Sequence, residues 1–253
     1  MKLNSFKLLL AAAFLGFAVA PSAYSASGGE PNLDADVDLG DKVSLARGAK
    51  YYANYCMGCH SLEFSRYNRV AADLGMEEGD IKPLIFTRDD DDKIHKPGAL
   101  MVNAIRTKDA IRWFGIAPPD LTVIARSRGG GDWLYSYLKG FYRDDTRPFG
   151  VNNLYFSNVG MPHVLEELQG VQALEVQDDG KGNITKTLKL VEPGKMGAGE
   201  YDQVAKDLTN FLVYVGEPAQ LHRTFYGILT LLFLLVLLVL SYFLKKEFWK
   251  DIH

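Results

Sequence analysis

Residues 224–244, TFYGILTLLFLLVLLVLSYFL, contain no charged side chain. As a helix this run is roughly 31 Å long at about 1.5 Å per residue, close to the ~30 Å hydrocarbon thickness of a bilayer. Phe225, Tyr226, Tyr242 and Phe243 stand at its two ends, where aromatic rings favour the membrane interface. Lys245, Lys246 and Lys250 follow the run, and only Arg223 flanks its other end closely. The positive-inside bias therefore leaves residues 245–253 in the cytoplasm and everything before residue 223 outside. The alternative, the core helix of a soluble protein, would need a body large enough to bury all sides of the run.

The N-terminus predicts the same orientation. Lys2 and Lys7 precede an apolar run from Leu8 to Ala20, too short to span a membrane comfortably, and small residues follow at Ala23, Ser25 and Ala26. That order is a secretory signal peptide, residues 1–26, with cleavage between Ala20 and Ser27. The exported body is then 27–222. Of the chain's 28 Lys+Arg, six lie outside it (Lys2, Lys7, Arg223, Lys245, Lys246, Lys250), and of its 31 Asp+Glu two do (Glu247, Asp251). The body carries 22 basic and 29 acidic residues, a net charge of −7. An acidic exported domain makes no nucleic-acid binder and suits a basic protein partner.

The chain's two cysteines, Cys56 and Cys59, sit in YYANYCMGCHSLEF with His60 directly after the second. A disulfide between them would close a very small loop and constrain little of the unfolded chain. Zinc would need two further ligands, and His95, His163 and His222 lack partner spacing. A redox-active C-x-x-C remains possible in an oxidising compartment. The histidine favours a different chemistry, because C-x-x-C-H is the attachment signal of a c-type haem. Two thiols at this spacing reach the two vinyl groups on one porphyrin edge, and the next side chain can bond the iron from one face. The preceding residues, 41–60, read as a helix with Ser44 as a possible cap and Leu45, Ala49, Tyr52 and Cys56 recurring on one side.

An electron carrier wants a sixth iron ligand that stays bound, and a methionine thioether raises the potential. Met57, Met76, Met101, Met161 and Met196 are the exported candidates. Met57 lies inside the motif, Met101 falls on an apolar helical stripe, and Met196 sits in a Gly-rich loop. Met161 lies between Gly160 and Pro162 in an extended stretch, with His163 as a rival ligand.

Four blocks in order carry a family resemblance: RGAKYYANYCMGCHSL, APPDLTVIARSRGGGDWLYSYLKGFY, NNLYFSNVGMPHVL and VAKDLTNFLVYVGEPAQLHRTFYGILTLL. Together they resemble the cytochrome c1 family, haem subunits of the cytochrome bc1 complex, in its bacterial form. The resemblance runs from about Val43 to the end. It implies one covalent haem c held by Cys56 and Cys59, with His60 and Met161 as the axial iron ligands. It implies Arg126 near a haem propionate; the competing reading is a solvated helix arginine. It implies that Pro118 and Pro119 pack on the histidine side, where a carbonyl can accept the imidazole Nδ1 proton. Asp120 fits either that segment or the N-cap of a helix beginning at Leu121.

The implied architecture is mostly α: a cytochrome-c-like haem domain with a small β-hairpin insertion and one C-terminal transmembrane helix. Helices from Val43, from Leu121 and over 201–215 would surround the haem. The hairpin, turning near Asp179-Gly180 within 171–197, looks longer than in mitochondrial members. The implied role is one-electron transfer from a Rieske iron–sulfur protein to a cytochrome c. The implied partners are cytochrome b, the Rieske protein, a cytochrome c and the lipid bilayer, in a dimeric complex of the bacterial inner membrane with the haem domain in the periplasm. Two acidic runs, 34–41 and 89–92, are either solvated loops or a docking surface for a basic cytochrome c. A membrane-tethered c-type subunit of an oxidase, or an anchored thiol oxidoreductase without haem, are the rival readings.

Overall fold

The computed structural model describes residues 33–251, apart from 86, 89–92, 179 and 181–183. The expected signal peptide, the second acidic run and part of the hairpin turn therefore lie outside the described residues. About half of those described are helical, and the strands form three separate two-stranded antiparallel sheets rather than one hairpin.

Helix α1, Lys42–Tyr51, starts at Asp41, whose carboxylate accepts the Ser44 N–H at 2.9 Å. Ser44 is therefore not the cap; its hydroxyl donates instead to buried Asp207 at 2.7 Å. The acidic run before α1 is spent largely on local structure. Asp34 accepts the Asp36 N–H and Asp38 accepts the Gly40 N–H, shaping the turns that lead into the helix. At Tyr52 the helix widens to a π turn, Tyr52–Cys56, and ends in a tight turn over residues 57–59.

The region that carries no motif, 62–96, folds as β1 (Leu62–Arg66), α2 (Tyr67–Leu74), α3 (Glu78–Ile81) and a 3₁₀ turn, Lys82–Leu84. Strand β2, Leu100–Met101, pairs with β1, and Met101 is buried in it. Met101 is thus core, but on a strand and not on a helix. Helix α4 follows at Thr107–Phe114.

The helix expected from Leu121 begins later and is broken. Helix α5 is Ile124–Arg128 and α6 is Gly130–Lys139, separated at Gly129 with φ +107°. That left-handed backbone favours glycine and ends the first helix. Strands β3 (Phe141–Arg143) and β4 (Val151–Asn153) pair next, then α7 (Glu166–Gln169), then the long hairpin of β5 (Gly170–Asp178) and β6 (Ile184–Pro193). Gln172 fastens its base by donating to the Lys139 and Phe141 carbonyls.

Helix α8, Ala198–Gly216, carries Val204, Leu208, Phe211, Leu212 and Val215 at helical spacing, all buried. It stops at Glu217-Pro218, because a residue before proline is disfavoured in the α conformation. Helices α1 and α8 pack closely at Gly48, where a Cβ would fall 2.1 Å from the Asp207 carbonyl oxygen. This contact joins the N-terminal and C-terminal helices of the body and anchors the main core. A second, smaller cluster holds Phe141, Val151 and Val159, with Tyr137 and Met161 packed against it. Helix α9, Gln220–Phe248, contains the uncharged run and buries none of its residues. It is long and apolar enough to cross a membrane.

Candidate haem-attachment site

The local fold brings the motif into the core by its first thiol. Cys56 sits in the last position of the π turn and is buried with Tyr52, Ala53 and Met57. Met57 makes no approach to a ligand position: fully buried, it accepts a hydrogen bond from the Tyr67 hydroxyl at 3.4 Å. Both cysteines are free thiols. Burial pushes the Cys56 thiol up to about 12. A reactive C-x-x-C needs a thiolate near neutral pH, so this environment opposes thiol–disulfide exchange. Among the described residues no group of three His, Cys, Asp or Glu side chains could hold a metal ion.

His60 is nearly buried and held at both ends. Its backbone carbonyl accepts the Tyr52 hydroxyl at 2.5 Å. Its ring Nδ1 lies 2.7 Å from the Pro119 carbonyl oxygen. A carbonyl can only accept, so Nδ1 carries the proton and the neutral ring keeps its lone pair on Nε2. Burial lowers the imidazole pKa, the Pro119 bond opposing, and the neutral form is favoured. Pro119 thus contacts the histidine directly. Pro118 instead lines a notch of about 160 Å³ with Cys59, Ser61 and Asp120, a space for a few waters.

Asp120 is not a helix cap, since α5 begins four residues later. Its carboxylate accepts the Glu63 N–H at 2.7 Å and the Thr122 N–H at 2.8 Å.

Met161 belongs to the second cluster, and its sulfur accepts the Tyr137 hydroxyl at 3.4 Å. His163 lies face to face with Phe141, ring centroids 4.6 Å apart, and among the described residues neither of its buried ring nitrogens has a partner of good hydrogen-bond geometry, the Gln169 side chain being the polar group beside it. Burial lowers its pKa to about 4 and keeps it neutral. Arg126 is exposed and pairs with Glu217 at 3.5 Å. Glu217 is shared with Arg223, 3.2 Å away, at the start of the membrane-length helix. The sequence places Tyr52 on the buried side of its helix but does not reveal its bond to His60, nor the bonds of Tyr137 and Glu217. Their roles are contacts across eight, 24 and 91 positions, which no local pattern marks.

The attachment motif, two thiols followed by an oriented imidazole, fits a c-type haem, whereas Met161 lies in the separate second cluster. Two free thiols, an imidazole with a free Nε2 and a thioether are the groups such a cofactor uses. The model of the cytochrome c1 family matches residues 37–252. The chain belongs to the cytochrome c1 family. The resemblance of the four sequence blocks is borne out over almost the whole chain. The chain is 51% identical to the cytochrome c1 of Allochromatium vinosum, over 98% of this chain and 99% of that one. It is 49% identical to a protein of Nitrosomonas europaea named ammonia monooxygenase gamma subunit, over 94% of this chain and 97% of that one. Cytochrome c1 of Rhodospirillum rubrum is 28% identical, over 84% and 83%. Cytochrome c1 proteins bind haem and serve as electron-transfer subunits of the bc1 complex.

Proposed function

We propose that this chain takes one electron from a Rieske iron–sulfur protein and passes it to a cytochrome c. The observation that carries the reading is the bond from His60 Nδ1 to Pro119, which leaves Nε2 free directly after two unpaired thiols. Cys56 and Cys59 would hold one haem c through thioether bonds, and His60 and Met161 would ligate its iron. When bound, the haem supplies a one-electron iron couple whose sixth position is filled, which favours transfer over oxygen chemistry. Pro119 fixes the imidazole tautomer and ring orientation, and Pro118 stiffens the approach of that carbonyl. Arg126 serves a haem propionate, with Glu217 as its competing partner. Tyr137 orients the Met161 sulfur.

Residues 1–26 act as the export signal, 27–222 as the periplasmic haem domain, 223–244 as the anchor and 245–253 as the cytoplasmic tail. The chain then sits in the bacterial inner membrane beside cytochrome b and the Rieske protein, within a dimeric complex. The net charge of −7 on the exported body favours a basic cytochrome c and speeds its encounter at low salt.

The relative named as an ammonia monooxygenase subunit supports a second reading, the same haem protein assembled with other partners. One preparation tests both. Gentle detergent extraction should yield a chain whose reduced-minus-oxidised spectrum shows a sharp alpha band that survives denaturation. Cytochrome b and an iron–sulfur protein should accompany it. Monooxygenase subunits in their place would favour the second reading, and a colourless chain with freely alkylated thiols would sink both.

A further inference from the structure

The bond that orients His60 has a support of its own. Residues 117–121 read Ala-Pro-Pro-Asp-Leu. Two prolines in succession supply no backbone N–H, so residues 118 and 119 donate no backbone bond to the chain after His60. The first cross-segment backbone donor beyond them is Leu121 N–H, to the Ser61 carbonyl at 2.9 Å. The Asp120 side chain fills the gap. Oδ2 accepts the Glu63 N–H at 2.7 Å and Oδ1 accepts the Thr122 N–H at 2.8 Å. One carboxylate therefore bridges the residues after His60 to those after Pro119. Besides the Leu121–Ser61 bond, a further link, from Phe64 N–H to the Thr122 hydroxyl, is long at 3.5 Å. Strand β1 is irregular over this stretch, its pairing with β2 shifting register between Leu62 and Arg66. Hydrogen bonds to a carboxylate are the stronger kind, and this one falls where the β1–β2 register is irregular.

We infer that Asp120 is the positioning residue for the axial histidine: its carboxylate sets the spacing between the Pro119 carbonyl and His60 Nδ1. This rests on the haem reading above. A short Nδ1–H···O=C bond makes the imidazole a more basic ligand and favours the ferric iron. Slackening the strut lengthens that bond and raises the midpoint potential.

The test uses the holoprotein in its complex. Redox titration of the alpha band reads the potential, and pulsed EPR of the oxidised protein in heavy water reads exchange of the His60 Nδ1 proton. Asp120→Ala should raise the potential and speed that exchange by roughly fivefold or more, the loss expected for one weakened hydrogen bond. Asp120→Asn keeps one acceptor and should move both readings the same way by less. Glu63→Gln removes a neighbouring exposed charge while its backbone N–H remains, and should leave proton exchange at the wild-type rate. Where the alanine variant fails to assemble, the asparagine variant decides alone. Unchanged exchange in the Asp120 variants, or equal acceleration in Glu63→Gln, overturns the assignment. A wild-type chain without a haem band overturns the haem reading and this inference with it; a haem-bearing wild type with unmoved Asp120 variants overturns this inference alone.

Discussion

At the scale of single residues, the two axial candidates differ in how the polypeptide holds them. His60 is fixed by two hydrogen bonds from separate parts of the chain. Met161 is held by packing and one weak bond from Tyr137. Replacing Met161 with leucine removes the thioether that favours ferrous iron, so the midpoint potential should fall sharply in a redox titration. An unchanged value would move the ligand elsewhere, with His163 the nearest alternative. His163 itself carries a pH-dependent contribution. Its folded pKa is about 4 against an ordinary 6.5, so below pH 6.5 the unfolded chain binds the proton that the folded chain refuses. Its contribution is fully present above pH 6.5 and is lost as the pH falls towards 4, by up to about 3 kcal/mol. Thermal midpoints measured across that window should drop with acid, and His163→Phe should flatten the drop. An equally steep profile in the variant would show that other groups control acid stability.

Among the elements, the α1–α8 contact bears most of the site's geometry. It aims the end of α1, and with it Cys56, into the core. Gly48 permits the approach, and the buried Asp207 receives Ser44, Arg47 and Gln203 across or beside it. A methyl group at position 48 would meet the Asp207 backbone oxygen and the Phe211 Cβ, at 2.1 and 2.7 Å. Gly48→Ala should therefore destabilise the body by about 1–3 kcal/mol or more, since backbone on the facing helix cannot swing aside. Denaturant unfolding would register it, and wild-type stability would show that the two helices slide apart without cost. The π turn that follows is the other decision made at this scale. The sequence pattern reads as one continuous helix through the motif, and its apolar spacing does place Tyr52 and Cys56 on the buried side. Widening of the last turn is not visible there; it carries Tyr52 against Phe211 on α8, ring centroids 5.6 Å apart.

For the molecule as a whole, the folded body and a membrane-length helix meet at Glu217-Pro218, where Glu217 pairs with both Arg126 and Arg223. An exported chain stopped after His222 should appear in the soluble periplasmic fraction and keep its alpha band. Retention in the membrane pellet would reveal a second membrane contact in the body. Much of this organisation was determined by sequence alone: uncharged length dictates a helix for 224–244, and the order Cys-x-x-Cys-His dictates which cofactor chemistry the thiols suit. Those features act through composition and spacing over a few residues, so no partner element is needed to state them. The tertiary structure decided what depends on distant contacts. It moved the helix expected at Leu121 to Ile124 and broke it at Gly129. It turned the acidic run before α1 into turns and a cap, and made Asp120 a strut rather than a cap. It also gave Arg126 a carboxylate partner. These outcomes depend on which polar groups, backbone or side chain, find partners far along the chain, and that is known only when the chain has closed on itself.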